Sequence, residues 1–209
     1  MKKVVIVLLL VTLVVGGAFA QMKAGVGVKG GTQTITLTAG GKSGEDKYGT
    51  FGANAFLDIG FLELNADFMM GAYLFGLMTN VNTTDLVLGV VGKFPIPIMD
   101  KITVFPFVGA DYNINLSTKN GDNELKDSDL EGTGYSRADF MSRLSIIFGA
   151  GLDFNLSDSM FIRGEVGYGI TLPNKVDNDM IDALKALSSS DVTLQQSKFF
   201  YKACIGFKL

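Results

Sequence analysis

The residues best equipped for chemistry in this 209-residue chain are charged side chains set at alternate positions among apolar ones. They are Asp58, Glu63, Asp67, Lys93, Asp111, Asp153, Arg163, Glu165 and Lys202. If one parity of each strand faces an enclosed interior, these charges meet there, and enclosed charges must pair or bind ions. One use is a structural network of ion pairs and hydrogen bonds that closes the interior. The other is a gate, with Glu63, Asp67, Lys93, Asp111, Arg163, Glu165 and Lys202 as its candidate members. In it, Arg163 and Lys202 would exchange partners among Glu63, Asp67, Asp111 and Glu165 to open a narrow ion path. The same parity carries Phe56, Met69, Tyr73, Phe75, Phe105 and Phe107. These six either line a pocket or simply fill the interior.

Catalytic chemistry is poorly supplied. The chain has no His, and a Ser without a His or Lys partner is a weak nucleophile. Its Gly residues fall within strand-like segments, not in a phosphate-cradling loop that opens a helix. Asp122, Glu124, Asp127, Asp129 and Glu131 crowd one stretch. Their spacing matches no EF-hand, so a solvated acidic loop is expected and no metal site. The single Cys204 cannot form an intrachain disulfide and is expected as a buried free thiol. No catalytic residue, metal or cofactor is predicted, and the chain reads as a non-enzyme.

Composition narrows the class. Apolar residues make up 47% and charged residues 19%, against about 25% charged in a typical soluble domain. That excludes disorder. A pI near 5.0 argues against nucleic acid as a partner. Mean hydropathy is +0.31, yet 26 residues are Gly. At the N-terminus, Lys2 and Lys3 precede an apolar run from Val4 to Val15, and Ala18-Phe19-Ala20 offers a small-residue cleavage site. This predicts a signal peptide over 1–20 and a single mature domain over 21–209. Every later apolar run is interrupted at short range, so no membrane helix is expected beyond it.

The interruptions have period 2. In 62–75, Leu62, Leu64, Ala66, Phe68 and Met70 alternate with Glu63, Asn65, Asp67, Met69 and Gly71. In 160–172, Ile162, Val166, Tyr168 and Ile170 oppose Arg163, Glu165, Gly167 and Gly169. Such alternation marks a strand with one apolar and one polar face. Eight such segments are predicted: 24–38, 49–59, 62–75, 84–94, 102–116, 144–156, 160–172 and 199–209. Short links near Gly60-Phe61, 95–101 and 157–159 alternate with longer ones at 39–48, 76–83, 117–141 and 173–197. That rhythm predicts an all-β fold, an eight-stranded antiparallel up-and-down transmembrane β-barrel. A soluble barrel would turn its apolar parity inward and bring more surface charge than 19%. Here the apolar parity suits lipid, while the glycine-rich, charged parity suits a narrow interior. Within the last long link, Met180, Ile181, Leu184 and Leu187 have helical spacing after an acidic start, which predicts a short helix over 177–187.

The final strand, Phe199-Phe200-Tyr201-Lys202-Ala203-Cys204-Ile205-Gly206-Phe207-Lys208-Leu209, resembles the terminal strand by which bacterial outer-membrane proteins are recognised for barrel insertion. With the leader and the loop rhythm, the mature chain resembles small eight-stranded barrels of the OmpX, OmpA-barrel and OmpW kind. The resemblance implies the outer membrane of a diderm bacterium, a monomer, and outer-membrane lipid and the barrel-assembly machinery as partners. Barrel-borne enzymes of known families rely on a His that this chain lacks. The function implied is structural or surface-interacting, through extracellular loops that could meet a host or surface ligand. The alternative is a porin-like, narrow OmpW-type channel or pocket for a small apolar or ionic solute. Phe94, Phe154 and Phe207 near the short turns, with Phe51, Tyr112, Tyr168, Phe199 and Tyr201 toward the long loops, would form the two interfacial girdles.

Overall fold

The computed structural model describes residues 22–75, 78–188 and 191–209, with side chains described except at 72–75, 78–80 and 187–188. The predicted leader, 1–20, lies outside the described residues. Eight long strands follow one another: β1 (Lys23–Ala39), β2 (Lys42–Asp58), β3 (Leu62–Phe75), β4 (Met78–Lys93), β5 (Ile102–Asn120), β6 (Arg143–Asn155), β7 (Met160–Thr171) and β8 (Val192–Lys208). Each pairs antiparallel with its neighbours in sequence. The ring closes where β1 meets β8, from Lys23 opposite Lys208 to Ala39 opposite Val192. No edge is left, which satisfies the backbone groups of strands that lie in lipid.

One end of the ring carries tight connections, and Met22 and Leu209 meet there in a backbone hydrogen bond. The other end carries two long loops, between β5 and β6 and between β7 and β8. These hold α1 (Arg137–Met141) and α2 (Lys175–Ser188). The helix expected over 177–187 is therefore present and slightly longer.

Three of the predicted long links differ. Most of 39–48 is strand, because β1 and β2 run on to a two-residue turn at Gly40 and Gly41. Both glycines have positive φ, 56° and 77°, the conformation a tight hairpin demands. Likewise β4 begins at Met78 instead of 84, and β8 at Val192 instead of 199. The reason is physical. Above the lipid belt a strand no longer needs an apolar outer face, so Ser43, Glu45 and Lys47 of β2 and Thr193, Gln195 and Ser197 of β8 lack the hydropathy signal. The ladders to β1 still hold both segments extended. A short strand, Ile96–Met99, also pairs back on β5 inside the predicted link 95–101.

Side-chain parity sorts the surface from the lumen. In β3, Leu62, Leu64, Phe68 and Met70 are exposed, whereas Glu63, Asn65, Asp67 and Met69 are buried. In β7, Ile162, Val166, Tyr168 and Ile170 face out, whereas Arg163 and Glu165 are buried. All eight aromatics assigned to the girdles are exposed.

The glycine excess has a packing cause. Five lumen phenylalanines each lie directly across from a glycine: Phe56 from Gly25, Phe105 from Gly151, Phe107 from Gly149, Phe161 from Gly206 and Phe200 from Gly167. A Cβ added at any of these glycines would run into the facing ring. The rings thus lie flat on the barrel wall, where a glycine is needed to make room for them.

Candidate functional site

The lumen has two levels. The lower level, toward the tight connections, is a plug of charges laid on rings. The Arg163 guanidinium is fully buried at its centre. Its Nε and Nη2 donate to Asp153 at 2.6 and 2.8 Å, Nη2 donates to Asp58 at 2.8 Å, and Nη1 donates to Glu63. Lys93 bridges Asp58 and Glu63, and Lys23 donates to Asp153 at 2.8 Å. Three cations thus face three carboxylates. The Arg163 guanidinium also stacks over Phe56, Phe105 and Phe161 at 4.4, 4.9 and 5.3 Å, and Lys93 lies 4.7 Å from the Phe105 ring centre.

Above this, Lys202 bonds Glu165 at 3.2 Å and the Asn65 amide oxygen at 2.9 Å. Lys29 pairs with Asp67, which also accepts from Asn54. Cys204 donates its S–H to Asn54 Oδ1 at 3.3 Å. Val91, Phe105, Phe107, Ile147 and Phe200 form an apolar cluster beside these pairs. Lys198 reaches across to Asp111 at 2.5 Å.

All seven candidate gate residues are therefore buried in the lumen, but not as one exchanging set. Of the four acids proposed as shared, Arg163 touches Glu63 and Lys202 touches Glu165. Asp67 and Asp111 pair with Lys29 and Lys198. Of the candidate pocket residues, Phe56 belongs to the plug, tilted against Phe161 at 6.2 Å. Phe105 and Phe107 belong to the apolar cluster, and Met69 lines the cavity described next. The side chains of Tyr73 and Phe75 lie outside the described residues. The sequence alone does not mark Lys23, Lys29 and Lys198 as site residues. Lys29 shares the parity of Gly25 and Gly27, so its direction is legible; Lys198 falls between the predicted link 173–197 and the predicted strand 199–209.

The upper level is a cavity of about 770 Å³ that opens toward the long loops. Its walls include Ile35, Leu37, Met69, Val87 and Leu194 from the strands, and Val176 and Met180 from α2. The loops above it are tied to one another. Tyr135 donates its hydroxyl to Asp179 at 2.7 Å, Arg143 bonds Asp177 at 3.0 Å, and the Asn174 amide donates to the Asp139 carbonyl. Donating this hydrogen bond to Asp179 raises the Tyr135 phenol above its ordinary pKa. At the start of α1, Ser136 Oγ accepts from the Asp139 backbone at 3.3 Å and the Asp139 carboxylate accepts from the Ser136 N–H at 2.7 Å. That backbone hydrogen bond, with one from the Ser136 hydroxyl, holds Asp139 below the usual carboxylate range.

The family model for the outer membrane protein beta-barrel domain matches residues 6–184. The chain belongs to that family. Membership, with the closed ring and its lipid-suited outer face, places this barrel in an outer membrane. Solved structures of similar shape include OprG from Pseudomonas aeruginosa, 11% identical, covering 91% of this chain and 96% of that one, with a TM-score of 0.45. Neisserial surface protein A is 9% identical, covering 88% and 97%, with a TM-score of 0.45. Ail of Yersinia pestis, one structure of which holds a heparin analogue, is 12% identical, covering 89% and 99%, with a TM-score of 0.39. TM-scores this low add nothing to what the ring of strands already shows. No curated protein matches the chain.

Proposed function

We propose that this protein is a non-conducting outer-membrane barrel that captures a small apolar or amphipathic solute in its outward-facing cavity. The observation that carries this is the vertical division of the lumen. A neutral, fully paired plug of charges and rings fills the lower level. An apolar cavity large enough for a ligand of several carbons lies above it. The long loops face the cell exterior, as in barrels with short periplasmic turns. The absence of His from the sequence supports a binding role without catalysis.

Two measurements test the reading. Planar-bilayer recording of the refolded barrel should give no steady current. In lipid nanodiscs, an environment-sensitive apolar fluorophore should bind the wild type, and Leu194→Trp, which fills the cavity, should weaken binding severalfold while leaving heat-modifiable gel mobility unchanged. A steady current, or binding indifferent to Leu194→Trp, would defeat the proposal.

A second reading is favoured by the ties between loops. Tyr135–Asp179, Arg143–Asp177 and Lys175 over the Tyr135 ring at 5.3 Å join α2 to the β5–β6 loop into one cap. A preorganised cap is a suitable contact surface for a host or neighbouring molecule. Loss of cell-surface attachment on breaking the cap, with cavity binding unchanged, would favour this reading.

A further inference from the structure

Among the described residues, the buried charged groups of the lumen pair off with one exception. Lys23, Lys29, Lys93, Arg143, Arg163, Lys198 and Lys202 each have a carboxylate within ion-pair distance. Asp85, on β4, does not have a cation. It is 7% exposed and lines the cavity. It accepts a hydrogen bond from Asn115 Nδ2 at 2.8 Å, the Thr83 and Asn113 side chains also lie against it, and no Lys or Arg nitrogen lies within ion-pair distance among the described residues. The undescribed side chains could not supply one from the barrel, because 72–80 and 187–190 contain no Lys or Arg.

A second atom nearby is also unsatisfied. Asn113, on the paired strand β5, faces Val87 in register two residues along from Asp85 and also lines the cavity. Its Oδ1 is buried without a hydrogen-bond partner. A carboxylate without a cation and an amide oxygen without a donor can both be met by one positively charged hydrogen-bond donor. Leaving such groups buried and unmet is costly. The surrounding wall of Ile35, Leu37, Val87 and Leu194 asks for an apolar body attached to that donor.

We propose that the cavity takes an amphipathic amine, with its ammonium group received by Asp85 and Asn113 and its apolar body against the cavity wall. This rests on the capture reading above and sharpens it by naming the ligand's head group. Lys29, Lys198 and Arg143 also border the cavity, but each is neutralised by its own aspartate, Asp67, Asp111 and Asp177. Glu45 and Asp46 also border it, at its exposed rim, where Glu45 pairs with Lys47 and water screens Asp46. Among the described residues the buried uncompensated charge of the wall is therefore negative and lies at Asp85.

The test compares three probes of equal chain length, octylammonium, octanol and octanoate. Each is titrated calorimetrically into phosphatidylcholine nanodiscs carrying the full barrel, with empty nanodiscs subtracted. Octylammonium should bind at least about tenfold tighter than octanol, the scale of a charge-assisted hydrogen bond, and octanoate more weakly than either. Asp85→Asn should abolish the preference and leave octanol binding unchanged. Should that variant fail to fold, Asn113→Leu, which keeps the charge and removes one acceptor, should reduce the preference severalfold. Equal binding of octylammonium and octanol to the wild type, or a preference that survives these substitutions, overturns the ammonium assignment while leaving the cavity reading intact. If no probe binds, both readings fail.

Discussion

Replacing Arg163 by Met tests the plug most directly. Arg163 is fully buried and contacts Asp58, Glu63 and Asp153. Those acids are themselves almost inaccessible, at 1, 2 and 2% exposure. After Arg163→Met, Lys93 still serves Asp58 and Glu63, and Lys23 still serves Asp153. Two cations then face three carboxylates, and one negative charge is left uncompensated in a place water scarcely reaches. Methionine keeps most of the side-chain volume against Phe56, Phe105 and Phe161, so the loss is mainly electrostatic rather than a cavity. Breaking a buried pair from one side costs about 3–5 kcal/mol, and that is the expected destabilisation. The assay is urea unfolding of the refolded barrel in micelles, followed by far-UV circular dichroism and heat-modifiable gel mobility. Adding Glu63→Gln restores neutrality and should recover at least ~1 kcal/mol of the loss, since charge imbalance and not lost contact is the cause. A single variant within about 1 kcal/mol of the wild type would refute this account. So would a double variant less stable than the single one.

Gly206→Val should destabilise the barrel by about 1–3 kcal/mol, because its side chain would enter the space of the Phe161 ring; Phe161→Ala should relieve part of that loss, and equilibrium unfolding of the pair decides. Cys204 is buried against Asn54, so a maleimide reagent should leave it unlabelled in the native barrel and label it fully on unfolding, as mass spectrometry would report. The cap should loosen in acid. Asp139 has a depressed pKa in the folded loop, so its contribution is complete above the ordinary carboxylate value and is lost as pH falls below about 4; protection of the 137–141 amides relative to their intrinsic exchange rates should fall there, and protection unchanged with pH would count against the capping role. Asp139→Asn should show the reduced protection at neutral pH as well.

Much of this molecule follows from its sequence. Leu62 to Met70 alternates so strictly that the outward face of β3 and the inward direction of Glu63, Asn65 and Asp67 follow at once. The Val26 and Val28 parity likewise directs Lys29 inward. Lys198 falls one residue before the predicted last strand, ahead of which the outward face turns polar, and the same lack of an apolar outer face hides the outer ends of β2, β4 and β8. Hydropathy reports the solvent a strand crosses, so it falls silent where the barrel rises out of lipid.

The pairings are a different matter. Period-2 alternation fixes which face a residue takes, but not its height in the barrel, because any shift by two residues preserves the pattern. Height depends on the stagger of all eight strands around the closed ring. That stagger puts Arg163 level with Asp58, Glu63 and Asp153 instead of with Asp67 or Asp111. It also sets five phenylalanines against five glycines, and it leaves Asp85 above the plug with no cation. The sequence by itself determined a lipid-facing ring of strands with a charged, glycine-rich lumen. Only the tertiary structure decided that the lumen divides into a floor of paired charges and a largely apolar chamber, because that division is a matter of register.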